Sequence, residues 1–201
     1  MIDGVIKYHI EHQCNATPTF VGFEQLEALR TRLFALGLIG ETDDGIGYGN
    51  LSLRVPNANQ FFITATQTGK QENLKADEYT YIRSYDFSNF TVFSQGAFKP
   101  SSEALSHAMI YEINNDINTV IHIHSHALWS FMKSNQNLAT RAEYGTEQMV
   151  SEIKSLYKNI NPFTNNAFVM LGHEDGIITF GRNIQEAELM LYAIIQKYLT
   201  A

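Results

Sequence analysis

Apolar and polar positions alternate along this chain with two different periods, and each period predicts a kind of element. Over residues 23–36, Leu26, Leu29, Leu33 and Leu36 keep a helical spacing, and Gly37 suits the left-handed turn that ends a helix. A glycine-studded stretch, residues 40–49, follows, where the chain can turn sharply or approach a ligand closely. Leu51-Ser52-Leu53-Arg54-Val55 then alternates with period two and predicts a strand. Phe61-Phe62-Ile63-Thr64 predicts a second, closed by a turn around Gly69. Residues 78–98 carry Tyr79, Tyr81, Ile82, Tyr85, Phe90, Val92 and Phe93, a composition that predicts a hairpin or meander.

From Ser102 to about Ile113 the helical period returns, with Leu105, Ala108, Met109 and Ile113 on one face. Thr119 to His124 reads as a strand. Residues 144–157 read as a helix with Met149, Ile153 and Leu156 inward, and Phe168-Val169-Met170-Leu171 as a buried strand running into Gly172-His173. The final helix carries the clearest signals: Asn183 as N-cap, Glu186 three residues on to complete a capping box, then an apolar stripe of Ala187, Met190, Leu191, Ile194, Ile195 and Tyr198. Strands and helices without a strict βαβ rhythm predict an α/β sandwich containing antiparallel strands. With no repeat, low-complexity tract or linker, the expectation is one domain over residues 1–201.

At 201 residues and 22.8 kDa, such a chain buries about 70% of its unfolded surface and needs no staples. Charged residues make up only 17% of it, against about 25% in soluble proteins, which leaves room for surface buried between subunits. A net charge of −7 with no basic run argues against a nucleic-acid partner. The single cysteine, Cys14, forms no internal disulfide and favours a reducing compartment. The first twenty residues carry Asp3, His9, Glu11 and His12 instead of an apolar signal core, and no apolar run approaches the ~18 residues of a membrane span. The expected setting is the cytoplasm, with no membrane partner. Four of the seven histidines fall between His107 and His126.

That cluster holds the most informative run, Val120-Ile121-His122-Ile123-His124. In a strand, His122 and His124 project from one face while Ile121 and Ile123 enter the core, so both imidazoles can converge on one metal ion. Two solvated histidines on an exposed strand are the alternative. A catalytic metal site needs a third ligand and an open position, and His173, after a buried strand, is the candidate. In Lys99-Pro100-Ser101-Ser102-Glu103, either serine can cap the following helix, whose N-terminus is a ready anion site with Glu103 in its first turn. A plain cap with a dipole-favoured carboxylate is the other account of that segment. Gly49-Asn50-Leu51-Ser52 and Thr66-Gln67-Thr68-Gly69 add two polar loop ends, each able to be an ordinary turn; Gly69-Lys70 lacks the rest of a Walker A motif.

Taken in order, Gly49-Asn50-Leu51-Ser52, Thr68-Gly69, Pro100-Ser101-Ser102-Glu103, His122-Ile123-His124-Ser125 and Gly172-His173-Glu174-Asp175-Gly176 resemble the class II aldolase/adducin family, in particular its fuculose-phosphate-aldolase-like members. The likeness covers residues 24–200 and leaves 1–22 as an N-terminal extension. It implies a three-layer αβα sandwich around a largely antiparallel sheet, in a homotetramer with sites at subunit interfaces. It implies that His122, His124 and His173 bind a divalent metal, zinc first, with manganese, iron or cobalt as alternatives. Glu103 becomes the acid/base, and Asn50, Thr68, Gly69, Ser101 and Ser102 a phosphate cradle.

The implied activity is a metal-dependent aldehyde-lyase, cleaving or condensing a phosphorylated sugar through a metal-stabilised enediolate. Glu103 favours this over the family's 4-epimerases, where Asp commonly stands in that place. A dehydratase or decarboxylase could use the same site. A non-catalytic adducin-like interaction domain is the alternative from another class, and such domains lose the histidines that this chain retains. The lead-in Gly45-Ile46-Gly47-Tyr48 and Tyr144-Gly145-Thr146-Glu147 resemble a bacterial branch, and the Gly172–Gly176 loop departs from the family's commoner form. His126 is extra to the motif, and no tyrosine can be matched to the one that a neighbouring subunit donates in some members.

Overall fold

The computed structural model describes residues 5–135 and 137–201; of the expected extension, residues 1–4, Asp3 among them, lie outside the described residues. The first half of the chain builds β1 (His9–Cys14), α1 (Phe23–Ala35), β2 (Gly40–Glu41), β3 (Gly47–Tyr48), β4 (Asn50–Arg54), β5 (Phe61–Thr64), β6 (Tyr79–Asp86) and β7 (Thr91–Gly96). The second half builds α2 (Ala104–Ile113), β8 (Thr119–His124), α3 (His126–Ser134), β9 (Ala139–Thr140), α4 (Glu147–Leu156), β10 (Ala167–Met170), β11 (Gly176–Gly181) and α5 (Ile184–Leu199). Nine strands join one sheet in the order β1-β7-β6-β5-β4-β8-β11-β10-β9, while β2 and β3 pair separately. Among the described residues, only the outermost pairs, β1–β7 and β9–β10, run parallel.

Period-two alternation sorts the central strands onto two cores. Ile121 and Ile123 of β8 point to the side covered by α1, α3 and α5, with Leu26, Leu29, Leu33, Trp129 and Leu191. Val120 points to the opposite side, under α2 and α4, with Leu105, Ala108, Met149 and Ile153. The result is the expected three-layer αβα sandwich with a largely antiparallel sheet. Each fully buried Leu or Ile contributes about 1.5–3 kcal/mol, so these two layers supply most of the driving force.

Several ends follow their predicted chemistry. Gly37 takes φ 69° after α1, and Asn183 Oδ1 accepts from the Glu186 amide at 2.8 Å. The capping box is only half made, because the Glu186 carboxylate accepts from Arg182 N instead of Asn183 N. α4 starts at Glu147 rather than 144, since Gly145 takes φ 65° and the Thr146 hydroxyl caps the helix by accepting from Met149 N. α2 starts at Ala104, so Glu103 occupies the N-cap position instead of the first turn. Tyr198, expected in the α5 stripe, is 40% exposed and packs edge-on against Phe131. β1, α3 and β11 were not predicted. Among the described residues, no helix is long and apolar enough to cross a membrane.

Candidate active site

Register places the site. Asn50 of β4 lies opposite His122 of β8, and Gly176 of β11 lies opposite His124. The turn after β10 returns His173 to the same spot, its amide bonded to Met170 O. Beside it, the segment leading to α2 is tied to the end of β5: Thr66 N donates to Lys99 O and Ser101 N to Thr64 O. These connections bring Asn50, Thr68, Gly69, Ser101, Ser102, Glu103, His122, His124 and His173 around one depression. Gly47, Tyr48, Gln67 and Tyr144 also line it.

The three imidazoles sit with ring centroids 5.0, 5.2 and 4.6 Å apart. One nitrogen from each lies within 4.8 Å of the others. His124 Nε2 and His173 Nε2 face each other at 2.7 Å, and His122 Nε2 is buried without a partner. Burial, reinforced by the neighbouring imidazoles, pushes His124 well below the usual histidine range and keeps it neutral, the form that ligates metal. A Cβ on Gly176 would lie 2.7 Å from His173 Cδ2 and 3.2 Å from His122 Nε2, so glycine there keeps space beside these nitrogens. Three convergent imidazoles, an orphaned inward nitrogen on His122 and the space kept by Gly176 together fit a divalent metal.

Glu103 is 2% exposed and divides its two oxygens between different environments. Oε2 contacts His122 Nδ1 and accepts from Asn50 Nδ2 at 2.8 Å. Oε1 is buried with no partner. Burial alone raises the carboxyl pKa, but the charge and hydrogen bond of His122, with the Asn50 amide, outweigh it and hold the group below its usual range. Glu103 is therefore a carboxylate with one oxygen anchored and the other available.

The polar loops contribute unequally. Thr68 Oγ1 donates to Ala65 O at 2.7 Å, so its hydroxyl proton is spent inside the loop. Ser101 Oγ accepts from Glu103 N, and Ser101 O accepts from the Tyr8 hydroxyl at 2.8 Å. Two aromatic walls escaped sequence reading: Tyr48 stacks on His124 at 5.1 Å, and Tyr144 meets His173 edge-on at 4.7 Å. Tyr48 could have been suspected from its place beside Gly49-Asn50; nothing local marks Tyr144. His126 points outward, its Nδ1 2.8 Å from Asp175 Oδ1 and its side chain 68% exposed. His107, one turn after Glu103, is buried behind the site with Nδ1 2.7 Å from Ser52 Oγ.

The family model described as "Class II Aldolase and Adducin N-terminal domain" matches residues 40–197. The solved structure of YgbL from Klebsiella pneumoniae superposes with a TM-score of 0.67 at 19% identity, covering 88% of this chain and 86% of that one. An L-fuculose 1-phosphate aldolase structure gives 0.64 at 20% identity, covering 88% and 84%. At such identities the likeness concerns the fold. A curated protein of Mycoplasma pneumoniae, named "Probable L-ribulose-5-phosphate 4-epimerase UlaF", is 29% identical over 89 residues, 44% of this chain. That match spans 35% of the relative's own length.

Proposed function

Because the chain belongs to the class II aldolase and adducin N-terminal domain family, we propose that it is a metal-dependent aldehyde-lyase acting on a phosphorylated sugar. Glu103 carries the reading: Oε2 is fixed by His122 and Asn50, and Oε1 is unpartnered in a depression shared with three convergent imidazoles. A carboxylate held this way is poised to move one proton repeatedly without changing place.

His122, His124 and His173 would hold the ion. Zinc is the first choice, and manganese, iron or cobalt accept the same donors. When bound, such an ion supplies Lewis acidity to a carbonyl and its neighbouring hydroxyl, offsetting negative charge as the carbon–carbon bond breaks. The chain's own residues do the rest. Ser101, Ser102, Asn50 and the Thr68–Gly69 turn bind the phosphate and fix which carbon lies over Glu103. Glu103 Oε1 takes the proton from that carbon in condensation and returns it in cleavage. Asn50 Nδ2 keeps Oε2 occupied, so the proton exchanges at Oε1. The buried walls limit water that would compete for the proton.

The curated relative named a 4-epimerase favours a second reading, epimerisation of a sugar phosphate on the same residues. We further propose a homotetramer, supported by the low charge content and by exposed apolar residues Leu189 and Leu199 on α5. The test is a panel of phosphorylated ketoses offered to zinc-loaded protein, with aldehyde release and 4-epimer formation followed together. Aldehyde release supports the lyase. Epimer without aldehyde transfers the site to the second reading, and neither product from metal-bound protein contradicts both.

A further inference from the structure

Arg30 is a fully buried cation outside the depression, 1% exposed on the inner face of α1. A buried guanidinium needs partners for its donors, and this one finds them on a single loop. Nη2 donates to Thr68 O at 2.8 Å and Gln71 O at 2.5 Å, and Nη1 donates to Glu72 O at 3.1 Å. Glu27 lies 3.6 Å from Nη1 and itself accepts from Leu74 N and the Tyr79 hydroxyl, both at 2.7 Å. The Glu27–Arg30 pair thus grips residues 68–74 from behind by backbone groups. Its charges largely cancel, which leaves geometry as its contribution.

That geometry has a direction. In a trans peptide the C=O and the following N–H point opposite ways, and no peptide bond described here is cis. With Thr68 O turned back onto Arg30, the Gly69 N–H is turned away from Arg30, and Gly69 lines the depression. The Thr68 hydroxyl is already donating to Ala65 O, which leaves backbone amides, that of Gly69 among them, as the donors of the Thr68–Gly69 turn. Gly47 bears on the same nitrogen: a Cβ there would stand 3.1 Å from Gly69 N, although the φ of Gly47 does not itself demand glycine.

We propose that Arg30 is the positioning residue of the anion-binding loop: by drawing the Thr68 carbonyl backward it aims the Gly69 N–H at the phosphate, and Gly47 leaves that N–H uncovered. The proposal rests on reading the depression as a phosphate site. Arg30 touches no substrate; it acts through one peptide plane. Lysine at position 30 would keep the charge but could not serve three carbonyls in a fixed fork.

The experiment titrates inorganic phosphate into zinc-loaded, full-length protein carrying 15N-glycine, reading both the Kd and the Gly69 amide resonance. In the parent protein that resonance moves saturably with phosphate. Arg30→Lys raises the Kd about tenfold, the loss expected for one charge-assisted hydrogen bond, abolishes the Gly69 shift and leaves zinc content unchanged. Gly47→Ala raises the Kd in the same direction and carries the comparison should Arg30→Lys fail to fold. Phosphate binding without movement of Gly69, or variants with the parent Kd and shift, overturns the role of Arg30 and spares the phosphate site. No phosphate binding by the parent overturns the phosphate site and this proposal with it.

Discussion

Replacing Ser52 with alanine should loosen the platform beneath Glu103. Two steps along a strand cover about 6.6 Å and four residues of a helix about 6 Å. Asn50 and Ser52 of β4 can therefore meet Glu103, the N-cap of α2, and His107 within α2 as successive rungs, and they do. The second rung continues to Tyr111, whose hydroxyl lies 2.6 Å from Ser52 Oγ and donates to Asn118 O at 3.4 Å. One assignment uses every proton: His107 Nδ1–H to Ser52, Ser52 to Tyr111, Tyr111 to Asn118. Ser52 and His107 are both 0% exposed. Removing Oγ strands the His107 donor at about 1–3 kcal/mol and breaks a second bond worth about 1 kcal/mol. The expected loss is about 2–4 kcal/mol, a large share of the roughly 5–15 kcal/mol that a domain possesses. Urea unfolding of zinc-loaded parent and variant at one free-zinc concentration measures it. A loss within about 0.5 kcal/mol, the range of an ordinary surface substitution, would refute the rung.

Glu103→Gln should retain zinc while kcat falls about 10²–10⁴-fold, the span of a positioned acid/base; full turnover on a verified substrate removes Glu103 from the chemistry. Burial pushes His107 down to about 3, so it stays neutral in the folded chain, whereas an unfolded histidine takes up a proton below about 6.5. Its contribution is complete above that pH and is lost at up to about 1.4 kcal/mol per pH unit as pH falls towards 3. Glu103 and His124, also shifted down, add to the same slope in parent and variant alike. His107→Gln should therefore flatten the fall in urea midpoint on acidification, and an unchanged slope would assign the acid sensitivity elsewhere.

The sequence exposes elements whose faces differ and hides those whose faces do not. β8 was legible because Ile121 and Ile123 alternate with two histidines, and α5 because Asn183 and a long apolar stripe mark it. β11 escaped because all six of its residues are buried, leaving no polar alternation between its two glycines. β1 escaped for the opposite reason, since a largely exposed edge strand of His, Glu and Gln offers only Ile10 to the core and no apolar alternation. α3 is just over two turns, and Ser125 followed by Leu128, Trp129 and Met132 was its only signal. The nine candidate site residues surround one depression; His122 and His124 stand out by their own spacing, whereas the cradle residues were named only through the ordered set of motifs that resembles the family. Sequence position alone does not place Tyr48, Tyr144 or Arg30 in the site, because their relation to it exists only once β2–β3, the turn before α4 and α1 have packed.

We propose that His122, His124 and His173 form one metal centre serving Glu103. Calorimetric titration of metal-stripped protein with zinc is the decisive measurement. The parent and Glu103→Gln should show the same single saturable site, and His122→Ala and His173→Ala should each abolish it while retaining a cooperative unfolding transition. Undiminished zinc binding by either folded histidine variant would mean that the ion is held elsewhere.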